Sequence, residues 1–507
     1  MDYEINPQIY EDCRKVKGRL FIYGCGSYGD ICYKKLKNRH SEISGFIVSA
    51  LQEKRKRFHD LPVYSYRQIA EELSEEDGVI AAYSGESEEK RRFFQGMKAK
   101  LILCSDTDFI KMMYWKFFNE GLFPIPGVRT PIQEIRTKSF SRILVMLIEK
   151  TFGDCIWASG FLRELRQNFP SCDVAVVVNP LMFALVEECP YVDQVLCYDA
   201  KNIGAELSFE VISHAKKYAK QNLKGFDAVF IPRELPVNAS DLWENYLLAV
   251  YSKTPVVIGH AFYTNEAERF IAEQFRPYLS KIVLHEGGDH QANRRLDLLR
   301  LLNLPVKSKK MEVWFSEEAL AVAEKMIQPV KKHQVLVAVA IAASTGERSY
   351  NPQYFKKIIE ELAKKNDIGF VLMGGTDAIE SAGQLLPLEG ICLDLTGKTS
   401  LSEAAAVIYL IDIYLGVDTG LMHMAAAQGK PIVEISHSLP DARPTDPLAV
   451  ERTGPWETEY IALRPLKALD GCTRYCRMRF PHCINEVKPQ RVIEAMEWFI
   501  NREGREV

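Results

Sequence analysis

The sequence predicts an α/β protein built from parallel sheets. Short apolar strands alternate with helical stretches along most of the chain. That pattern lays strands side by side, parallel, with helices over their faces. The alternation also restarts twice, at Arg142 and near His333. With 507 residues, about three domains are expected.

The composition suits ordinary globular cores: 47% of residues are hydrophobic and 26% charged. A formal net charge of −3 gives no global field for nucleic acid. The basic run Lys54–Arg57 reads as a solvated loop. The first residues, MDYEINPQIYEDCRKVK, have no apolar core of a signal peptide. No stretch approaches the roughly 18 apolar residues of a membrane span. A cytoplasmic protein is the default expectation, with peripheral attachment to the inner face of a membrane left open. Cys104, Cys155, Cys189, Cys197 and Cys392 stand inside apolar segments, as reduced buried cysteines do.

The first series opens on the strand 19–23, followed by Gly24-Cys25-Gly26-Ser27-Tyr28-Gly29 and a helix. Further strands are expected at 43–48, 79–83 and 100–104. A Gly-x-Gly-x-x-Gly turn after a first strand suits a nucleotide, so Gly24, Gly26 and Gly29 are candidate contacts. The acidic residue that would hold a ribose is missing, because Ser49 and Ala50 stand at the end of the second strand. This layout resembles the Rossmann-like N-terminal domains attached to sugar-modifying enzymes. A docking role and a bound nucleotide both stay open there. Residues 105–140 read as a connection, broken at Phe123-Pro124-Ile125-Pro126-Gly127.

In the second series, strands are expected at 143–148, 173–178, 194–198, 227–231, 255–259 and 281–284. Helices are expected at 155–168, 181–188, 205–221, 240–252 and 292–303. In the third, strands are expected at 334–341, 368–373, 391–395, 411–415 and 431–435, with a last helix at 489–502 packing back across the hinge.

The most informative stretch is 415–427, LGVDTGLMHMAAA. A strand runs into a tight turn and then a small-residue helix. The helix start offers N–H groups and a partial positive charge, a phosphate-binding arrangement. Asp418 and Thr419 are placed to cap it, and an ordinary capped βα turn is the bland alternative.

Residues 415–431 closely resemble the signature of glycosyltransferase family 9, the heptosyltransferase-like enzymes. Three more stretches fall in that family's order: 142–165 (RILVMLIEKTFGDCIWASGFLREL), 369–377 (GFVLMGGTD) and 394–402 (DLTGKTSLS). The resemblance covers about residues 140–500. It implies a GT-B fold of two Rossmann-like lobes facing a cleft, with the N-terminal Rossmann-like domain added in front. The expected domains are 1–130, then an acceptor lobe at 138–320 and a nucleotide-sugar lobe at 321–507.

The resemblance also implies roles. Asp154 of the Gly153-Asp154 pair corresponds to the proposed general base, and helix capping is its alternative. Where the family usually has a basic residue earlier in this loop, Ile148 stands, with Lys150 nearby. Arg348 occupies the place of a family Lys, with Tyr350 and Asn351 replacing Trp and Pro. Ser344, Arg348, Gly374, Gly375, Thr396, Lys398, Asp418, Thr419, Gly420, Leu421 and His423 are the expected donor contacts. His290 is read as structural.

No Asp-x-Asp motif for a diphosphate-bound cation stands at a strand end in the second or third series. Helix dipole and basic side chains would take its place, so neither catalytic metal nor cofactor is expected. Cys472, Cys476, His482 and Cys483 are zinc-type residues but lack a symmetrical second pair. Cysteines are usual there in the family, so no metal is assigned.

The implied activity is inverting, metal-independent transfer of a heptose or hexose from a nucleoside-diphosphate donor, in the family mostly ADP-heptose. The acceptor is a hydroxyl of a glycan or glycolipid, and the setting is cell-envelope polysaccharide such as lipopolysaccharide. A nucleotide-sugar epimerase and a non-catalytic nucleotide-sugar-binding or assembly protein are the rival readings. Donor sugar, base, acceptor and oligomeric state are not legible.

Overall fold

In a computed structural model of the protein, the described residues are 7–24, 27–37, 42–48, 57–81, 97–103, 129–149, 151–200, 209–235, 243–262, 276–285, 288–386, 388, 390–444, 446, 449–470, 472, 476, 478 and 480–503. Gly26, Ser49, Ala50, Lys54, Cys104, Phe123–Gly127 and Lys150, all singled out above, lie outside them.

The chain divides into two compact units. One is Met1–Gly127 with Val237–Ala239 and Tyr263–Pro277, and the other is Val128–Pro236, Ser240–Phe262 and Tyr278–Val507.

The first unit holds β1 (Leu20–Tyr23), β2 (Gly45–Val48), β3 (Arg57–Phe58), β4 (Leu61–Ser65), β5 (Gly78–Ala81) and β6 (Lys100–Leu103). They form one sheet in the order β3-β4-β2-β1-β5-β6, parallel except for the β3–β4 hairpin. That hairpin was not expected from the sequence. Gly24 leaves β1 at φ +111°, a conformation that suits glycine. A Cβ on Gly29 would lie 2.0 Å from the Gly24 carbonyl oxygen, so the turn and the helix Ser27–Lys37 close tightly on each other.

The second unit carries two further sheets. One contains β7 (Arg142–Leu147), β8 (Asp173–Val178), β9 (Gln194–Cys197), β10 (Ala228–Leu235), β11 (Val256–Phe262) and β12 (Lys281–His285). The other contains β13 (Val335–Ala340), β14 (Ile368–Met373), β15 (Cys392–Asp394), β16 (Ile413–Val417), β17 (Ile432–Ile435) and β18 (Tyr460–Leu463). Their orders are β12-β11-β10-β7-β8-β9 and β15-β14-β13-β16-β17-β18. All pairings in both are parallel. Each sheet reverses direction between its first and fourth strands, and such switch points open a crevice at the strands' carboxyl ends. β7, β13 and β16 lead straight into the candidate site from these two crevices.

The central strands are apolar on both faces, as RILVML and IGFVLM show, because helices cover both sides. One hydrophobic cluster runs through both lobes of this unit. It joins Ile143, Val145 and Phe161 to Ala404, Leu421 and Met424. The lobes are therefore held together by apolar burial as well as by the chain that links them.

Several expected elements shift. The helix expected at 155–168 is two helices, Phe152–Trp157 and Ser159–Asn168, meeting at Ala158. The strand expected from Ile411 begins at Ile413, because the helix Leu401–Leu410 ends directly against Ile411. β18 was not expected. The last helix, Pro489–Glu503, does not follow the expected hinge packing. Its Val492, Met496 and Phe499 join the core of the third sheet beside the helix Pro352–Lys365. Of the cysteines read as buried, Cys155 and Cys189 are, but Cys197 is exposed and Cys392 half-buried. No helix among the described residues is long and apolar enough to cross a membrane.

Candidate active site between the two switch points

The Gly153-Asp154 pair follows β7 and sits in the first helical turn of Phe152–Trp157. That helix packs on Gly420–Ala427, the helix after β16. The approach is close enough to demand two glycines. A Cβ on Gly153 would lie 2.8 Å from His423 Cδ2 and 3.4 Å from Gly420 Cα. A Cβ on Gly420 would lie 2.0–2.5 Å from the Phe152 ring. The two stretches that stood out in the sequence thus meet face to face, Gly153 against Gly420, 267 positions apart.

Asp154 is half-buried in a charged network. Arg233 Nη1 donates to its Oδ1 at 2.7 Å, and the Thr151 hydroxyl donates to Oδ2 at 2.7 Å. Arg295 Nη2 donates to the Asp154 carbonyl at 3.0 Å. Burial pushes the Asp154 pKa up, but Arg233 and Arg295 outweigh it and hold the group below its ordinary value. It is therefore ionised at neutral pH, and Thr151 takes the N-cap position that Asp154 could have filled.

Both arginines also reach Glu149, which is fully buried, at 3.2 Å each. Burial, aided by the Asp154 charge and opposed by Arg233, raises Glu149 to about 7. Arg233 owes its position to an irregularity in β10. The β10–β11 register slips between Ile231 and Glu234, and His260 Nε2 bonds the Pro232 carbonyl at 2.5 Å. Arg295 lies in the helix Gln291–Arg300, 1% exposed, with its guanidinium 5.5 Å from the Trp157 ring centroid.

Two consequences can be measured. A carboxyl whose folded pKa is raised gives stability that is complete below its unfolded value of 4.5 and lost as pH rises through about 7. Between those pH values the protein should lose stability in denaturant titrations, and Glu149→Gln should flatten the loss. The rate of the site's reaction should also show an inflection near pH 7, which Glu149→Gln removes. A variant keeping that inflection would assign the proton to another group.

Across the cleft, Thr419 is the N-cap residue of Gly420–Ala427 but makes no capping bond. Its hydroxyl instead pairs with Tyr414 Oη at 3.2 Å. The Asp418 carboxylate faces Arg348 Nη1 at 3.5 Å and His423 Nε2 at 3.8 Å. The expected side-chain cap from Asp418 or Thr419 is therefore corrected, and the helix dipole is left uncapped by side chains. His423 is 3% exposed, packed edge-on to Trp157 at 4.9 Å, and burial lowers its pKa. Its Nδ1 has no hydrogen-bond partner among the described residues.

Arg348 is braced by Thr345 Oγ1 at 2.9 Å and Ser344 Oγ at 3.1 Å, in the loop after β13. The replaced pair beside it is structural. Tyr350 is 1% exposed and donates to the Val487 carbonyl, while Asn351 caps Pro352–Lys365.

The Thr396–Lys398 segment lies against the Gly374-Gly375 turn, with Gly397 N–H on the Gly374 carbonyl at 2.9 Å. Thr396 and Lys398 both hold Asp394, at 2.6 and 2.9 Å. Thr396 is 1% exposed and its hydroxyl is committed there. His290 caps Gln291–Arg300, bonds the Gly454 carbonyl at 2.9 Å and stacks on Trp456, in keeping with a structural role.

Sequence reasoning missed Glu149, Arg233, Arg295, His437 and Glu434. His437, just after β17, is 3% exposed with neither ring nitrogen hydrogen-bonded among the described residues, and it feels the charges of Asp418 and Arg348. Glu434 is buried in β17, and burial with the Asp418 charge raises it to about 8. A charged or imidazole residue at the carboxyl end of an apolar strand, as in FIPREL and IVEISH, is the signal that could have found two of them.

The family model described as glycosyltransferase family 9 (heptosyltransferase) matches residues 235–468. Lipopolysaccharide heptosyltransferase 2 of Escherichia coli K12 is 30% identical over 367 residues, spanning 69% of this chain and 96% of the relative. Among solved structures, a family 9 glycosyltransferase from Veillonella parvula superposes with a TM-score of 0.58 at 18% identity, covering 71% of this chain and 98% of that one. E. coli ADP-heptose lipopolysaccharide heptosyltransferase II gives 0.54 at 16%, covering 72% and 99%. The expected fold is thereby confirmed as GT-B with a further N-terminal sheet domain, and the expected enzyme as a heptosyltransferase-like glycosyltransferase. The chain belongs to glycosyltransferase family 9.

Proposed function

We propose that this enzyme transfers a heptose or hexose from a nucleoside-diphosphate sugar to a hydroxyl of a glycan or glycolipid, with inversion and without a catalytic metal. ADP-heptose is the first donor to test, and a lipopolysaccharide precursor the first acceptor, because the relatives' names carry ADP-heptose and lipopolysaccharide. The observation that carries the reading is the approach of the Gly153-Asp154 loop to the start of Gly420–Ala427.

Each side of the cleft supplies one half of the reaction. The helix N-terminus and Arg348 offer positive potential to a diphosphate. Asp154 offers an ionised carboxylate to an acceptor hydroxyl. The acceptor oxygen attacks the anomeric carbon as the bond to the diphosphate breaks. The electron pair leaves with the diphosphate, and the hydroxyl proton passes to Asp154 as the new C–O bond forms. Attack from the side opposite the leaving group inverts the anomeric centre. The proton moves late, so a carboxylate with a depressed pKa is a sufficient base.

Turnover of ADP-heptose with a core acceptor in the presence of a chelator, with the product anomer read by NMR, tests this. An inverted product formed at full rate supports it, and a retained anomer or strict dependence on an added divalent cation refutes it. Arg348→Ala should raise the donor KM about ten- to a hundredfold by removing a charged hydrogen-bond donor, with a smaller change in kcat. An unchanged KM would take Arg348 off the diphosphate.

The N-terminal domain is proposed to serve acceptor choice or assembly rather than donor binding. Arg129 belongs with the catalytic unit, since its guanidinium holds the carbonyls of Thr254, Val250 and Tyr278. A truncated chain should therefore begin before Arg129, not near Thr137, and should keep its donor affinity.

A further inference from the structure

Cys472, Cys476, His482 and Cys483 come together between β18 and the last helix. Their ligand atoms all lie within 4.8 Å of one another. Cys472 Sγ is 3.8 Å from Cys476 Sγ, and His482 Nδ1 is 3.6, 3.7 and 3.4 Å from the sulfurs of Cys472, Cys476 and Cys483. A tetrahedron with Zn–S bonds of about 2.3 Å and a Zn–N bond of about 2.1 Å has S···S edges near 3.8 Å and S···N edges near 3.6 Å. A disulfide would need sulfurs about 2.05 Å apart. The four groups thus already have the spacing of a metal's ligand shell.

We propose that these four residues form a structural Cys3His site for one zinc ion. Three thiolates and one imidazole are the donor set of closed structural zinc sites, with no position left for substrate. The three cysteines are at most 8% exposed and sit among Leu439, Leu469 and Met478. The Leu469 N–H points at Cys483 Sγ at 3.5 Å, the kind of outer hydrogen bond that steadies a ligating sulfur. The absence of a symmetrical Cys pair, which weighed against a metal in the sequence, is made good by His482 and Cys483 being adjacent.

The site has a task beyond local folding. The turn Cys483–Glu486 packs against Gly346–Arg348. Asn485 Oδ1 accepts the Asn351 N–H at 3.3 Å, and Val487 accepts from Tyr350. A metal that fixes His482 and Cys483 therefore also fixes the loop that carries Arg348. This zinc is distinct from the chemistry proposed for Asp154, which uses none of these ligands.

The full-length protein, expressed and purified without chelator, should contain one zinc per chain by elemental analysis. Replacing it with cobalt should give the visible d–d and thiolate charge-transfer bands of a tetrahedral sulfur-rich site, and removing it should release the thiols to titration. Hydrogen exchange in residues 346–351 should accelerate on removal. Cys476→Ser should lower metal content to well below one per chain; if that variant does not fold, the cobalt spectrum of the unaltered protein still decides. Protein with no stoichiometric metal, or with a Cys472–Cys476 disulfide, overturns the site. Stoichiometric iron in place of zinc overturns the zinc assignment.

Discussion

Asp154→Asn is expected to lower the transfer rate by about 10²- to 10⁴-fold while donor affinity stays nearly unchanged. The change keeps the size of the side chain and its bond to Thr151, and removes the basicity. It also takes a negative charge from between Arg233 and Arg295, which stay paired through Glu149. Glu149 should then ionise more readily, because part of what raises it is the Asp154 charge. Donor binding by calorimetry separates a lost base from a collapsed site. Near-normal turnover, with chemistry rate-limiting, would reduce Asp154 to a structural anchor for the two arginines.

Gly420→Ala should be nearly as severe for a different reason. The new methyl would fall inside the Phe152 ring, so the two helices must move apart. Forcing an extra methyl into such a contact costs about 1–3 kcal/mol. The larger loss is in alignment, where a displacement of about 1 Å between reacting groups can cost about a hundredfold in rate. The double variant Phe152→Ala/Gly420→Ala should recover much of the lost activity, since it reopens the space. If it recovers none, while Phe152→Ala alone is active, Gly420 acts through its contact with the donor and not through the fit of the helices.

What the sequence made legible was local. The Gly153-Asp154 loop and the Asp418–His423 turn each sit in one short run where a strand ends and a helix starts. Such runs carry their own signals in small residues and strand termini. The partners of Asp154 do not. Arg233 is 79 positions away and reaches the site through a slipped register in β10. Arg295 bonds Glu149 across 146 positions, from a helix whose pattern gives no hint that an arginine points inward.

Thr396 shows the opposite failure. Its place in the family's Thr-Gly-Lys-Thr segment suggested a donor contact, yet the side chain folds back on Asp394 two residues away. Short-range competition of this kind is common for threonine next to an acceptor. The two helices at Ala158 and the late start of β16 are boundary effects set by packing, which periodicity does not resolve.

The central claim is that a nucleoside diphosphate sits at the start of Gly420–Ala427, opposite Asp154. A crystal structure of the full chain with ADP tests it most directly. The account predicts phosphate density within hydrogen-bond reach of the Thr419, Gly420 and Leu421 backbone, with Arg348 turned toward it. Nucleotide found only in residues 1–130, on the Gly24–Gly29 turn, would contradict it.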